Sequence, residues 1–450
     1  MGWLDKLLGK EQSFAENNPD PALAQIRFGR YSDNNKSLAK TAKWFDADQL
    51  FKEKKYQESV RAFFEYLSDE KEKNVQFSPN GEGFTFELMQ GSKRVYGASD
   101  GQHITAHVPV VKMGTPSAAV MRRMLELNYG LYYSRTTMND DNVISMMFDS
   151  TIDSANPNKL YFGLKELATK ADRQDDLLVA DFRMLEEIDT QHIEHLPEKE
   201  LDTKYQYFRQ WIEATLQQAE ALNPDSFSGS IAYLLLNLLY RIDYLIAPEA
   251  KLLADLEKIN GIYWTRKEEV PIIERNKMMQ DAFRKLLEVS REEFAASVYR
   301  AKATFAITNP PKTEKTRETI ETSNRDSYWY IENKFPAIAL ILNEYGLSYN
   351  QYSFSMPHVV TDFFHLYMMV VHADYFAALG WTKKLYRSGE NQFDKGAIQQ
   401  RILQLVAKHK EKFPYLQMDM NRLKFDNLYE FGISYSEQIA NFNLDIKKAG

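Results

Sequence analysis

The chain has 450 residues, 44% of them hydrophobic and 13% aromatic, with 56 basic against 63 acidic side chains and a net charge of −7. That length exceeds one ordinary core and sets two domains as the expectation. The acidic balance argues against nucleic acid as a partner, since phosphate binding needs a basic surface. The absence of cysteine excludes disulfides, thiolate nucleophiles, iron–sulfur clusters and cysteine-ligated zinc.

Residues 1–40 read as an arm. The opening "MGWLDKLLGK" places Trp3, Leu4, Leu7 and Leu8 on one helical face, too short to hold a membrane alone, and Asn- and Pro-rich turns follow. No secretory leader is visible. The longest apolar runs, 231–239 and 335–342, are about half a membrane span, so a cytoplasmic protein without stable membrane insertion is expected. Between 41 and 70, Trp44, Phe45, Leu50, Phe51, Val60, Phe63, Phe64 and Leu67 recur at helical steps. One helix–turn–helix unit of the tetratricopeptide kind is readable here, with no second copy to make a solenoid.

A β region follows. Phe84, Phe86 and Leu88 alternate with Thr85 and Glu87, then come 94–96 and the alternating 104–110, which predicts a three-stranded meander with one buried face. Thr115 and Pro116 start a helix over 116–128, and strands over 131–137 and 143–148 succeed it. The polar stretch Asp149, Ser150, Asp153, Ser154, Asn156 invites a metal or phosphate reading. It lacks the glycine and closing glutamate of a calcium loop, whereas Asn156 before Pro157 is a natural N-cap. The segment therefore reads as a strand-to-helix joint, with the helix running on toward Asp189. After a linker at 191–200, nearly everything reads as helix, with segments near 201–222, 228–246, 248–259, 270–289, 291–307, 326–345, 357–379, 393–411 and 421–447. The charged stretch 308–327 reads as a linker.

The order helix, three strands, helix, two strands, helix over 41–190 resembles the small α+β fold of class I type III secretion chaperones, the bacterial Tir-chaperone family, and the related YbjN proteins. "GQHITAHVPV", "AAVMRRMLELNYGLYYSRTTM" and "NVISMMFDS" carry the likeness. The resemblance implies an α+β chaperone-like domain over 41–190 and does not extend to the all-α domain that the helical segments predict over 201–450. It also implies a protein-binding function, a homodimer, and a client protein or peptide segment as partner, with no cofactor and no enzymatic activity.

The contact surface expected on this reading comprises Phe84, Phe86, Leu88, Tyr132 and Tyr133. The alternative is a metal-binding protein or enzyme centred on "HVVTDFFHLYMMVVHADYF". There His358, Asp362, His365, Met369 and His372 form one helical stripe, and His358, Asp362 and His365 are the candidate ligands. His358 and His372 are about 21 Å apart along a helix axis, too far to share one ion. No phosphate-binding glycine loop, dinucleotide fingerprint or nucleophile elbow occurs in the chain.

Overall fold

A computed structural model of the chain describes residues 26–30, 36–69, 74–81, 83–191, 193–265, 268–301 and 313–445. The helical face expected at Trp3 to Leu8, and His192, lie outside the described residues. The fold is α+β: an antiparallel sheet with helices, then a helical region.

Helices α1 (Leu38–Lys52) and α2 (Tyr56–Leu67) form a hairpin. Val60, Phe63, Phe64 and Leu67 recur at steps of three and four on α2 and are all buried. The sheet comprises β1 (Val75–Asn80), β2 (Gly83–Gln90), β3 (Lys93–Ser99), β4 (His103–Met113), β5 (Ser134–Met138) and β6 (Val143–Thr151), with helix α3 (Ala118–Tyr129) between β4 and β5. Strand order is β1-β2-β3-β4-β6-β5, and a short β7 (Leu185–Glu187) pairs with β4. The meander thus has a fourth strand, β1, whose Pro79 and short alternation hid it in the sequence. Across β4 and β6 the register shifts between Pro109 and Val111, a bulge where a residue without an N–H is tolerated.

Alternation along β2, β4 and β6 sends Phe84, Phe86, Leu88, Ile104, Ala106, Val108, Ile144, Met146 and Phe148 to one buried face. Helix α4 (Pro157–Asp181) packs across it. Asn156 caps α4 as expected: its Oδ1 accepts from Lys159 N at 2.9 Å, and Pro157 takes the first position. Asn156→Ala should therefore lower stability by about 1 kcal/mol, read as a denaturant midpoint shift at unchanged slope. An unchanged midpoint would show the cap to be dispensable. The helix ends before Asp189, because the chain turns at Phe182 to lay β7 on β4.

A second core runs from Leu196 to Phe442, distinct from the first, which spans Ala47 to Leu185. Its helices are α5 (Glu198–Glu220), α6 (Ser228–Leu245), α7 (Ala250–Trp264), α8 (Ile272–Leu286), α9 (Arg291–Ala296), α10 (Thr313–Glu332), α11 (Pro336–Ser353), α12 (His358–Val371), α13 (Ala373–Leu379), α14 (Lys395–His409) and α15 (Leu428–Ala440). Among the described residues, no helix is long and apolar enough to cross a membrane.

Three sequence expectations are corrected here. The linker contributes β8 (Ile193–His195), which pairs with β9 (Tyr299–Ala301), and this strand ends the helix expected over 291–307. The polar stretch 308–327 is not linker where described but enters α10. Its buried face carries small polar groups beside Ile320: Asn324 Nδ2 donates to Ser436 Oγ at 2.9 Å and Asn343 Nδ2 to Asn324 Oδ1 at 2.8 Å. The helix expected over 326–345 is broken at Lys334, with φ of 65°, so that Pro336 can open α11. Residues 26–30 of the arm pack on the second core: Gly29 N donates to Tyr244 O at 2.7 Å, and Arg30 Nε to Asp243 Oδ1 at 2.8 Å.

Candidate protein-contact surface

The five expected contact residues divide into two groups. Phe84, Phe86 and Leu88 lie in the first core and offer no surface to a partner. Phe86 stacks on Phe64 of α2 at 4.5 Å between ring centroids, and its ring lies over Gly97, where a Cβ would meet it at 2.0 Å. The alternation that marks a strand does not reveal which face helices will cover, which is why these three were misplaced. The opposite sheet face carries Thr85, Glu87, Arg94, Tyr96, His103, Thr105 and His107, so it is polar rather than an apolar groove. There Tyr96 stacks on His107 and donates its hydroxyl to Asp189.

Tyr132 is 92% exposed and Tyr133 41%. Both follow α3, which buries only Val120 and Met124. Met121, Leu125 and Tyr129, at steps of four, form an adjacent stripe on α3 that faces water, with Leu125 71% and Tyr129 97% exposed. This stripe was readable as helical periodicity, but its exposure was not, because the sequence does not show that α3 touches the sheet edge along one narrow line. The tyrosine loop is fixed by one carboxylate. Glu166 of α4 accepts from Tyr132 N and Tyr133 N at 2.9 Å each and from Ser134 N at 2.8 Å. Burial opposes its charge, but these N–H donors outweigh burial and hold its pKa below the usual carboxylate value. Phe162, half exposed, lies one helical turn before Glu166 on α4 and extends the apolar surface.

The histidine stripe resolves into separate pairings. His358 is exposed at the start of α12. Asp362 accepts from Lys408 Nζ at 2.6 Å and lies 2.6 Å from His409 Nε2. His365 Nδ1 is 3.1 Å from the Tyr244 hydroxyl, its ring 4.8 Å from that of Phe28, and burial pushes its pKa down to about 4. His372 Nε2 lies 3.0 Å from Glu344 Oε2. Among the described residues, no group of three or more His, Asp or Glu side chains converges as a metal ion requires. The partners Lys408, His409, Tyr244 and Glu344 all come from other helices, and no spacing in α12 announces them.

Glu344 also accepts from Arg241 Nε at 2.8 Å and Nη2 at 3.2 Å. Burial disfavours its charge, but Arg241 and His372 overcome that and hold its pKa well below the carboxylate range. No known protein family matches the chain, and no curated protein does.

Proposed function

We propose that this chain is a non-enzymatic protein-binding protein, a chaperone or adaptor, that holds a segment of a client or a second copy of itself. The observation that carries this reading is the apolar stripe of Met121, Leu125 and Tyr129 running into Tyr132 and Tyr133, all exposed on one edge of the α+β unit. Monomeric surfaces rarely leave large apolar side chains contiguous, and such patches mark contact sites. Tyrosine is well suited to this role, since it gives a large, rigid, amphipathic surface at low entropic cost. The Glu166 clamp presents the loop in one conformation before any partner arrives, which lowers the ordering cost of binding. The antiparallel sheet with one helix-covered face agrees with the chaperone-like resemblance of 41–190, although the covered face excludes a client groove on Phe84 and Phe86.

The test is a Leu125→Asp, Tyr132→Asp double variant. Both residues are exposed, so its thermal midpoint should stay within about 2 °C of the parent. Tagged full-length protein should retain a protein partner from native extract, or self-associate by light scattering, and the variant should lose that association by about tenfold or more. Retention of the same proteins by the variant, or a parent that is monomeric and captures nothing, would sink this reading.

A further inference from the structure

The two cores meet around a cavity of about 340 Å³. One wall is α4 of the first core. The others are the start of α7, strand β9, the N-terminal end of α5, and residues 27–30 of the arm. Its charges are not paired off evenly. Arg30 is engaged by Asp243 at 2.7 Å and by Glu257 at 3.4 Å, and Arg173 by Glu257 at 3.2 Å. Arg300 and Lys204 both turn to Glu200, Lys204 at 3.3 Å. These four bases are therefore committed to Asp243, Glu257 and Glu200, while Arg27 and Lys170 also line the cavity.

Also lining the cavity are Asp172 and Asp176, one helical turn apart on α4, and Glu249 at the start of α7. Asp172 is fixed by neutral donors: Ser92 N at 2.7 Å, Ser92 Oγ at 3.0 Å and Gln90 Nε2 at 3.2 Å. Gly91, at φ of +51°, permits this close turn, since a Cβ there would stand 2.1 Å from Asp172 Oδ1. Among the described residues, the carboxylates of Asp176 and Glu249 have no hydrogen bond and no ion pair. Behind them Asp175 faces Lys93, at 3.0 Å, and leaves its Oδ1 unpartnered. The independent observation is Tyr299. It is only 9% exposed, it lines the cavity, and its hydroxyl has no hydrogen-bond partner among the described residues. Burial raises the pKa of that hydroxyl, and Asp176, Glu249, Asp172 and Asp175 add to the rise. A hydroxyl on a nine-tenths buried residue, open toward carboxylates that no base pairs, is a donor and acceptor available to a third party.

We propose that this cavity binds a small organic cation, one bearing ammonium or guanidinium groups, between Asp176, Glu249 and Asp172, with the Tyr299 hydroxyl completing its hydrogen bonds. The occupant is organic rather than a metal ion, because no three carboxylates among the described residues converge on one point. Carboxylates that do not converge suit a ligand with separated N–H donors. The size suits a ligand of low molecular weight. The bound cation supplies the ion pair that none of the described bases makes with Asp176 or Glu249. Binding should strengthen from pH 6 to pH 8.5 as the wall ionises and weaken with added salt.

The experiment is calorimetric titration of the full chain at pH 8 with putrescine, spermidine and agmatine, and in parallel with Mg²⁺, Ca²⁺ and Mn²⁺ alone. At least one organic cation should bind at one per chain. Asp176→Asn should weaken it by about tenfold or more, roughly 1.4 kcal/mol. The same variant should raise the melting temperature of the ligand-free protein at pH 8, so that lost binding cannot be mistaken for lost folding. Tyr299→Phe should weaken binding without that rise, and the exposed control Glu186→Gln should leave it unchanged. The site is refuted if none of the three organic cations binds, if binding is multivalent and indifferent to Asp176→Asn, or if a divalent ion alone binds in an Asp176-dependent way and excludes spermidine.

Discussion

Glu344→Gln should be the most damaging single isosteric change in the helical half of the protein. Glu344 is 1% exposed on α11, with Arg241 of α6 at 2.8 Å and His372, at the joint of α12 and α13, at 3.0 Å. Its carboxylate accepts three hydrogen bonds, two from Arg241 and one from His372, and so ties α6 and the α12–α13 joint to α11. His372 stays neutral at pH 7, because burial lowers its pKa despite the adjacent carboxylate, and it donates Nε2–H. Glutamine keeps the shape but strands the buried guanidinium, at a cost of about 3–5 kcal/mol. That corresponds to a melting-temperature loss on the order of 10 °C. A second substitution, Arg241→Met, removes the stranded charge and should return most of the loss, since a buried ion pair adds little over apolar packing of the same volume. A single variant that melts within about 2 °C of the parent would show that the carboxylate does not hold these helices. The pH dependence has a definite sign. Glu344 has a depressed folded pKa, so its contribution is present above the ordinary carboxylate value and disappears only in acid.

The cavity carboxylates have the opposite sign. Burial, reinforced by Asp175, pushes the carboxyl of Asp172 up to about 7. Burial with Asp175 and Asp172 pushes Asp176 up to about 9, and burial with Asp172 pushes Glu249 up to about 8. A carboxyl whose folded pKa is raised favours the native state while protonated. Its contribution is full below the unfolded value, about 4, and is lost as pH rises through the folded value. Each group removes about 1.4 kcal/mol per pH unit in its window. The cavity admits water, so the sum is smaller, on the order of a few kcal/mol between pH 5 and pH 9. Ligand-free protein should therefore melt several degrees lower at pH 9 than at pH 6, where many proteins change little. Asp176→Asn and Glu249→Gln should each flatten that slope. Calorimetry across this range decides the matter: a level curve for the parent, or the same slope in both variants, would mean that the wall does not titrate as the geometry requires.

How much was legible in the sequence depended on whether the determining contacts were local. Asn156 and Pro157 announce α4 because a cap is a three-residue interaction. Phe84, Phe86 and Leu88 announce a strand because alternation is local, but α2 and α4 decide that this face is covered. Helix α10 was hidden for a different reason. Within its buried stripe, Asn324 is satisfied by Ser436 and Asn343 and Ser327 by Tyr429, so polarity there signals a hydrogen-bonded seam and not solvent. The cavity was illegible as a whole. Asp172 and Asp176 stand in an acidic helix that reads as an ordinary solvated face. Glu249 and Tyr299 come from distant segments, and only the meeting of the two cores makes their charge a shared problem.

The path of the arm has a consequence for the order of assembly during synthesis. Phe28 and Arg30 emerge early, yet Arg30 pairs with Asp243, 213 residues later. Phe28 likewise packs on His365 and Phe376. The first core draws its buried residues from Ala47 to Leu185 and can close on a ribosome before any of those partners exists. The arm must wait beside it, then cross to the helices once they are made. Because Gly29 and Arg30 also line the inter-core cavity, that cavity is completed only after the first core has closed and the arm has crossed to the helices.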